Sequence, residues 1–271
     1  MSAQPLYDDH VHSRFSCDAR DPLAALCDAA RERGLAGLTL TDHFDTDPSD
    51  PGYGWYDYDR AKREVAQVRG QVSPGFSLLL GAEICFQPRY SERIATFLRD
   101  CPLDFALGSV HYVQGEFIDV AYFRRHDLET AYGAYFDAVE ALVESRLFDS
   151  LAHLDMPKLH STPVCGRFDP ERFWERLERI LRLVIQSGMA LELNTKGWRQ
   201  LPEESYPGEA ILRRYAELGG TRITIGSDTH DAARIGYDIE RAHALARRLG
   251  FTHLTRYVER RPQLLPLAGG A

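Results

Sequence analysis

The chain has 271 residues, of which 44% are hydrophobic and 27% charged, a composition typical of a folded globular protein. That composition excludes a disordered chain, a collagen-like fibre and a coiled coil. The 40 acidic residues outnumber the 32 basic ones and give a formal net charge of −8, which argues against a general nucleic-acid-binding surface.

The five cysteines are odd in number and include no Cys-x-x-Cys pair, so the sequence favours neither a disulfide framework nor a thiolate zinc site. No apolar run approaches the roughly 20 residues that cross a bilayer, and no basic patch precedes an apolar run at the N-terminus. We therefore expect a cytoplasmic protein without a membrane partner. Because no linker or shift in composition divides the chain, we expect a single domain over residues 1–271.

Short apolar runs rich in β-formers alternate with longer segments of helical periodicity. The predicted strands are 6–12, 36–41, 76–84, 104–111, 149–153, 189–194 and 222–227. The predicted helices are 22–33, 58–68, 128–147, 170–186, 209–218 and 239–249. Seven such β/α units in a row predict parallel strands with crossover helices, arranged either as an open doubly wound sheet or as a closed barrel.

Local signals mark several helix ends. Two Asp-Pro pairs predict an N-cap followed by proline at the first helical position: Asp21-Pro22 and Asp169-Pro170. Three glycines stand where helix C-caps are expected: Gly34, Gly188 and Gly250. One helix, 170–186, carries apolar residues at helical spacing that predict a buried face: Phe173, Leu177, Ile180, Leu181 and Val184.

The carboxyl end of every predicted strand carries a polar side chain able to do chemistry. In chain order these residues are His10 and His12, His43, Glu83, His111, His153, Asn194, and finally Asp228 and His230, with Asp18 just beyond the first strand. The carboxyl ends of parallel barrel strands face one mouth, so these side chains would converge there. An open sheet would spread them along an edge, and we therefore predict the closed barrel.

Nine of these residues form a candidate set of metal ligands: His10, His12, Asp18, His43, Glu83, His111, His153, Asp228 and His230. Six imidazoles and three carboxylates exceed the about four ligands that one zinc ion takes. They suit two or three divalent ions bridged by carboxylate and hydroxide. Nitrogen and oxygen ligands without thiolate fit zinc, manganese or iron.

The motifs around these residues resemble the PHP family (polymerase and histidinol phosphatase) and, within it, the monofunctional histidinol-phosphate phosphatases. They are Asp8-Asp9-His10-Val11-His12-Ser13, Phe15-Ser16-Cys17-Asp18-Ala19, Thr41-Asp42-His43, Gly108-Ser109-Val110-His111-Tyr112, Ala152-His153-Leu154-Asp155-Met156-Pro157-Lys158, Glu192-Leu193-Asn194-Thr195 and Gly226-Ser227-Asp228-Thr229-His230. The resemblance covers nearly the whole chain. It implies a distorted (β/α)7 barrel, a trinuclear metal site with the nine ligands above, and hydrolysis of L-histidinol phosphate to L-histidinol and phosphate in histidine biosynthesis.

Three positions depart from the pattern that the resemblance leads us to expect. Asp18 stands where other branches of the family often carry a histidine, and Lys196 and Trp198 are larger than the residues expected beside Asn194-Thr195. We expect these differences to affect the contacts to the phosphate or the leaving group.

Within this hypothesis, a hydroxide bridging two metal ions attacks phosphorus, and Asp228 and His230 are the catalytic residues that accompany it. Asp42 is expected to orient a ligand imidazole from behind. The residues expected to bind the substrate or its phosphate are Arg167, Arg199, Lys196 and Asn194, with Arg14 as a substitute.

The segment 44–59, which follows a ligand-bearing strand, is long, acidic and aromatic. Histidinol phosphate carries an ammonium and an imidazole, so such a loop could select it as a lid through charge and cation–π contact. Asp45 and Asp47 are the residues that test this hypothesis. The alternative is a solvated surface loop.

Three other functions stay open at this point. The first is a PHP phosphoesterase or exonuclease that acts on another small phosphate ester or a nucleotide. The second is a PHP module without catalytic activity, although all nine ligand positions are filled. The third, a metal-dependent amidohydrolase, lacks a lysine placed to bridge metals as a carbamate.

Overall fold

The computed structural model describes residues 4–267. The strands are β1 (Tyr7–Val11), β2 (Gly37–Leu40), β3 (His43–Phe44), β4 (Ser77–Cys85), β5 (Phe105–Ser109), β6 (Tyr112–Val113), β7 (Glu116–Phe117), β8 (Ser150–Leu151), β9 (Ala190–Asn194), β10 (Ile223–Gly226), β11 (His253–Val258) and β12 (Arg261–Pro266). The α-helices are α1 (Leu23–Glu32), α2 (Tyr58–Arg69), α3 (Ser91–Asp100), α4 (Val120–Arg125), α5 (Leu128–Ser145), α6 (Lys158–Cys165), α7 (Trp174–Ser187), α8 (Glu209–Glu217) and α9 (Ile239–Arg248). Short 3₁₀ turns lie at Pro88–Tyr90, Pro170–Phe173, Lys196–Arg199 and Ala232–Arg234.

Within residues 4–267, seven parallel strands form a nearly closed barrel in the order β1-β2-β4-β5-β8-β9-β10, and β3 pairs with the outer end of β4. The ring closes just beyond β10, where the amide of His12 donates to the carbonyl of Thr229 (2.9 Å) and the amide of Asp228 donates to the carbonyl of His10 (2.8 Å). This closure confirms the predicted barrel and excludes the open doubly wound sheet.

The six predicted helices are all present, and their apolar faces pack against the barrel. In the predicted segment 170–186 the first turn is 3₁₀ and α7 begins at Trp174, but the five apolar residues of its face are all buried, as predicted. Gly34, Gly188 and Gly250 all adopt positive φ angles at helix C-termini, also as predicted.

One capping prediction is wrong. Asp169 does cap the turn at Pro170–Phe173, where its side chain accepts a hydrogen bond from the amide of Glu171. Asp21 does not cap α1, which begins at Leu23, because the Asp21 carboxylate instead accepts a hydrogen bond from the amide of Ala232, 211 residues away (2.7 Å). The long-range bond replaces the local one and ties the start of α1 to the segment beyond β10.

The hairpin β11–β12, which the sequence pattern did not reveal, lies against the amino-terminal end of the barrel. Arg256 of β11 donates to Asp9 (2.8 Å) and Ser77 (3.0 Å), and Tyr257 stacks on Phe105 with ring centroids 5.5 Å apart. Arg260, in the hairpin turn, donates to Asp149 (2.6 Å). The hairpin thus covers one end of the barrel and leaves the carboxyl ends of the strands as the open mouth. No helix of residues 4–267 has the length and apolar character needed to span a membrane.

Candidate metal centre

The nine predicted ligands come together at the carboxyl end of the barrel. His10 lies in β1 and His12 directly after it, and because residues two apart in a strand face the same side, both imidazoles point into the mouth. The other ligands lie in or just after the neighbouring elements: His43 in β3, Glu83 in β4, His111 after β5, His153 after β8, and Asp228 and His230 after β10, with Asp18 in the turn that follows β1. The barrel therefore delivers side chains from widely separated parts of the sequence to one place.

The approach of β1 to β10 depends on a glycine. A Cβ atom at Gly226 would lie 2.2 Å from Cβ of His10 and 2.9 Å from its backbone nitrogen, distances that no real side chain tolerates. Residue 226 therefore has no side chain for packing reasons, and this lets His10 sit against β10 at the point where the barrel closes.

The carboxylate of Glu83 lies at the centre of the cluster and is buried. Ring nitrogens of five histidines lie within 3.4 Å of its two oxygens. Beside Oε2 they are His10 (3.1 Å), His12 (3.3 Å) and His43 (3.2 Å), and beside Oε1 they are His111 (3.4 Å) and His153 (2.9 Å). A carboxylate with imidazoles on both oxygens has the arrangement of a ligand that bridges two metal ions.

Asp228, His230 and Asp18 form the other side of the cluster. Oδ1 of Asp228 lies 3.7 Å from Nε2 of His12 and 3.6 Å from Nδ1 of His230. Nε2 of His230 lies 3.0 Å from the carboxylate of Asp18, which also approaches Nε2 of His43 (3.6 Å). Asp18 stands where other branches of the family often carry a histidine. Its carboxylate oxygen therefore joins the same group of donor atoms.

The donor geometry fits divalent metal ions. Two ligand atoms that each lie about 2.1 Å from one tetrahedral ion are about 3.4 Å apart, close to the separations found here. Nε2 of His10 and Nε2 of His12 face each other at 3.0 Å, and Nδ1 of His43 lies 3.2 Å from Glu83 without the alignment of a hydrogen bond. Three sets of converging donors emerge from these distances: His12, His43 and His230; His10, His12 and Glu83; and His43, Glu83 and His111. Such nitrogen and oxygen sets can hold divalent metal ions.

Burial and neighbouring charges shift the protonation of these groups. Burial disfavours the charged form of Glu83, but the imidazoles of His43 and His10 outweigh it and hold the pKa of Glu83 well below its usual range. Burial, together with the imidazoles of His230 and His43, holds the pKa of His12 well below its usual range. Glu83 is therefore ionised and His12 neutral at physiological pH, as metal ligands are. The pKa values of His10 and His111, in contrast, are raised well above their usual range despite burial, so a metal ion bound there would displace protons.

A second layer of residues fixes the orientation of the ligands. Nδ1 of His10 lies 2.6 Å from Oε1 of Glu192, and Oε2 of Glu192 accepts a hydrogen bond from the amide of His153 (2.8 Å). Glu192 lies in one of the family motifs quoted above, but no role was predicted for it from the sequence. The available signal was a single acid inside an otherwise apolar strand, Ala190–Asn194, where a buried carboxylate needs partners.

Asp42 acts through serines and does not touch an imidazole itself. Its carboxylate accepts hydrogen bonds from the amide and hydroxyl of Ser13 (2.6 and 2.8 Å) and from the hydroxyl of Ser16 (2.8 Å). The Ser16 oxygen in turn lies 3.0 Å from Nδ1 of His12. Burial raises the pKa of Asp42 to about 7. The expected orienting role thus passes through Ser16 to His12.

The predicted phosphate-binding residues lie in different places. Lys196 lines the pocket, and its Nζ donates to Oδ1 of Asp228 (2.6 Å), whereas Asn194 is buried behind it and donates to the other oxygen of Asp228 (3.1 Å). Arg199 points away from the pocket, to the carbonyl of Ser227 (2.9 Å).

The other two arginines are solvent-exposed and lie away from the pocket. Arg167 is 71% exposed and forms an ion pair with Glu204, while Arg14 pairs with Glu64 on the surface. Arg167 was predicted to bind the substrate or its phosphate, but it lies outside the pocket, because the segment after β8 folds into α6 and carries residue 167 past it.

A cavity of about 580 Å³ opens above the cluster. Its wall includes Tyr112, Phe117, Met156, Leu159 and His160, none of which the sequence pattern marked as functional. His160 lies in α6. This apolar wall above a group of charged residues is typical of a small-molecule site.

The family comparison agrees with this geometry. Residues 8–196 match the PHP domain. The chain belongs to the PHP family. This PHP chain is 31% identical over 245 residues to the probable histidinol-phosphatase of Deinococcus radiodurans, covering 86% of this chain and 89% of that protein. It is 27% identical over 256 residues to the histidinol-phosphatase of Lactococcus lactis, covering 92% of this chain and 93% of that protein.

Among solved structures, this PHP chain is similar to the histidinol phosphate phosphatase of Lactococcus lactis, crystallised with zinc, L-histidinol and phosphate. The TM-score is 0.88 at 24% sequence identity, covering 96% of this chain and 100% of the other. The two proteins share the (β/α)7 fold.

Proposed function

We propose that this PHP protein hydrolyses L-histidinol phosphate to L-histidinol and inorganic phosphate, as a phosphoric monoester hydrolase of histidine biosynthesis. The observation that carries the proposal is the group of five imidazoles around the buried carboxylate of Glu83, at the base of a cavity sized for a small molecule. The likeness over most of the chain to proteins named histidinol-phosphatase supports the choice of substrate.

The proposal assigns the metal ligands to the nine residues at the barrel mouth: His10, His12, Asp18, His43, Glu83, His111, His153, Asp228 and His230. Two or three ions of zinc, manganese or iron suit this set, and zinc is the metal in the Lactococcus structure. Bound divalent ions supply positive charge to the phosphate oxygens and lower the pKa of water. A single catalytic domain over residues 1–271 and a cytoplasmic location remain parts of the proposal.

The chain's own cation at the site is Lys196. Among residues 4–267 it is the only lysine or arginine that lines the cavity. Its ammonium bonds Asp228 and lies 3.5 Å from Nδ1 of His230, so a phosphate seated above these two residues would contact it directly. We assign Lys196 to phosphate binding and Asp228 and His230 to the reacting end of the substrate, with Asn194 holding Asp228 in place.

The apolar wall completes the site. Phe117 of β7, Met156 and, from α6, Leu159 line the cavity. Their side chains displace water from the space beside the charged groups, which strengthens electrostatic contacts to a bound phosphate.

The test is phosphate release by purified protein loaded with zinc, manganese or iron, measured on a panel of substrates. The panel contains L-histidinol phosphate, a nucleoside monophosphate, phosphotyrosine and a single-stranded oligonucleotide. The proposal expects kcat/KM to be highest for L-histidinol phosphate and activity to disappear with a chelator and return with metal. A preference for the nucleotide or oligonucleotide would favour a PHP phosphoesterase of another substrate class, and a chain that binds less than one ion and hydrolyses nothing would favour a non-catalytic module.

A further inference from the structure

The segment 44–59 presents one carboxylate to the cavity that the metal centre does not use. Residues two apart in an extended chain face the same side, so Asp45 follows His43 of β3 towards the cavity. Phe44, between them, points the other way and stacks on Phe97 with ring centroids 3.8 Å apart. Asp45 is only 7% exposed, although it lines the cavity.

The Asp45 carboxylate has no hydrogen-bond or ion-pair partner anywhere in the described part of the chain, and only longer-range charges act on it. The oxygens of Asp45 are not among the fully buried polar atoms without a partner, so the carboxylate opens onto the cavity, where a ligand can reach it. A cationic ligand that entered the cavity would supply the missing donors, and this is the feature of Asp45 that points to a ligand.

The surrounding loop holds Asp45 in position. Asp47 faces away from the cavity, where it accepts hydrogen bonds from Gln87 (2.9 Å) and from the amide of Ser49 (2.9 Å) and forms an ion pair with Arg89. A Cβ atom at Gly52 would lie 2.2 Å from Oδ2 of Asp45, so a side chain at residue 52 would displace the carboxylate from this position. Asp47 therefore anchors the loop, and Asp45 is the residue free to contact a ligand.

The aromatic side chains of the loop do not share this role. Tyr53 and Trp55 are exposed, and Tyr56 packs against Phe44, so within residues 4–267 the loop contributes only Asp45, Asp50 and Pro51 to the cavity lining. The loop hypothesis made from the sequence thus keeps its charge component, while the structure gives no support to a cation–π contact from the loop.

The cavity carries cationic groups on one side and carboxylates on the loop side, an arrangement that fits a substrate with both a phosphate and an ammonium. Lys196 and the histidine cluster attract a phosphate, whereas Asp45 and Asp50 place negative charge on the loop side. In L-histidinol phosphate only two carbon atoms separate the ammonium nitrogen from the ester oxygen. Asp45 lines the same cavity as His43 and His111 and interacts electrostatically with both, so it is placed to contact an ammonium that close to the phosphate.

We propose that Asp45 binds the ammonium group of the substrate and thereby selects phosphate monoesters that carry an amine beside the ester. This inference rests on the proposed function. Asp45 acts as a specificity-determining residue, and Asp47 and Gly52 position it.

The experiment compares two esters, L-histidinol phosphate and 3-(imidazol-4-yl)propyl phosphate, which lacks only the amine. Kinetic constants are measured for the wild type, for Asp45→Asn, which keeps the shape and removes the charge, and for Asp59→Asn. Asp59 is an exposed acid near the start of α2 and serves as the matched control. Metal content is measured for all three, and inhibition by L-histidinol and by inorganic phosphate provides a second readout.

We expect Asp45→Asn to lower kcat/KM for L-histidinol phosphate, and to do so about tenfold or more beyond any loss on the deaminated ester. Such a factor corresponds to the loss of one charged hydrogen bond. Inhibition by L-histidinol should weaken while inhibition by phosphate persists, and Asp59→Asn should behave as the wild type. Equal losses on both esters, or a fall in metal content, would overturn the assignment and leave the proposed function standing. A wild type that hydrolyses neither ester would overturn both.

Discussion

Glu192 and His10 are joined across 2.6 Å between Oε1 and Nδ1, and both side chains are buried at the closure of the barrel. The bond fixes the imidazole so that Nε2 faces Glu83 and the other donors. A carboxylate behind a histidine ligand sets its tautomer and strengthens it as a base.

We predict that Glu192→Gln lowers the affinity for metal about 10–100-fold, the usual effect of removing such an outer carboxylate. Isothermal titration calorimetry of the metal-free protein measures this directly. Glu144→Gln, on the exposed face of α5, is the control. Unchanged affinity in Glu192→Gln would show that the bond does not support the metal centre.

Lys196 and Arg167 provide a matched pair for the phosphate contact. We predict that Lys196→Met lowers kcat/KM about tenfold or more, because a charged hydrogen bond to the phosphate is lost, and weakens inhibition by inorganic phosphate. Arg167→Met should have no effect, because Arg167 is exposed and bound to Glu204. Steady-state kinetics of the two variants tests which residue contacts the phosphate. A larger loss of kcat/KM in Arg167→Met than in Lys196→Met would refute the assignment of Lys196.

Replacement by alanine is expected to change stability in opposite directions at two glycines, Gly226 and Gly133. Gly226→Ala would force a methyl group against His10, so we expect lower stability and impaired metal binding. Gly133 lies within α5 with open space around its Cα, and Gly133→Ala should raise the free energy of unfolding by about 0.5–1 kcal/mol. Urea unfolding and metal titration of both variants test this pair, and a Gly226→Ala protein that is as stable as the wild type and binds metal normally would contradict it.

The buried His243 makes stability depend on pH. It lies on α9 and is only 2% exposed, and neither ring nitrogen has a hydrogen-bond partner within residues 4–267. Burial, with a smaller effect of Arg247, lowers its pKa to about 4. The unfolded chain, with a pKa of about 6.5, then binds more protons between these values, so stability falls as the pH drops from about 6.5 towards 4.

For His243 the predicted loss is about 3 kcal/mol across that range. The free energy of unfolding of the chelator-treated wild type is compared with that of His243→Leu at pH 4.5 and pH 7. The variant should lose less stability on acidification than the wild type. Equal pH dependence in the two proteins would contradict the assignment.

The sequence predicts the barrel, and the convergence of the nine candidate ligands at its mouth, because both depend on repeated patterns. Most barrel strands are apolar, and each ends in or is followed by a polar residue such as Glu83 or His111, a repetition that is visible without knowledge of the packing. The hairpin β11–β12 escaped prediction because its role depends on long-range contacts, such as that between Arg256 and Asp9. The same holds for Asp21, whose partner Ala232 is remote in sequence.

The directions of the long cationic side chains were harder to predict than the convergence of the candidate ligands. Arginines such as Arg167 and Arg199 follow ligand-bearing strands, but the direction of a long side chain is set by tertiary partners, here Glu204 and the carbonyl of Ser227. Asp45 and Asp47 look equivalent in the sequence. Only the bonds from Gln87 and Ser49 to Asp47 distinguish the anchoring acid from the one that faces the cavity.

The most direct test of the central claim is phosphate release from L-histidinol phosphate by metal-loaded wild type and His111→Ala. Nε2 of His111 lies 3.4 Å from Glu83 on the open side of the cluster, where its loss would remove a proposed metal ligand without disturbing the buried strands. We predict a fall of more than about 100-fold, since even an outer partner of a ligand is worth about 10–100-fold. Equal rates in the two proteins would contradict it.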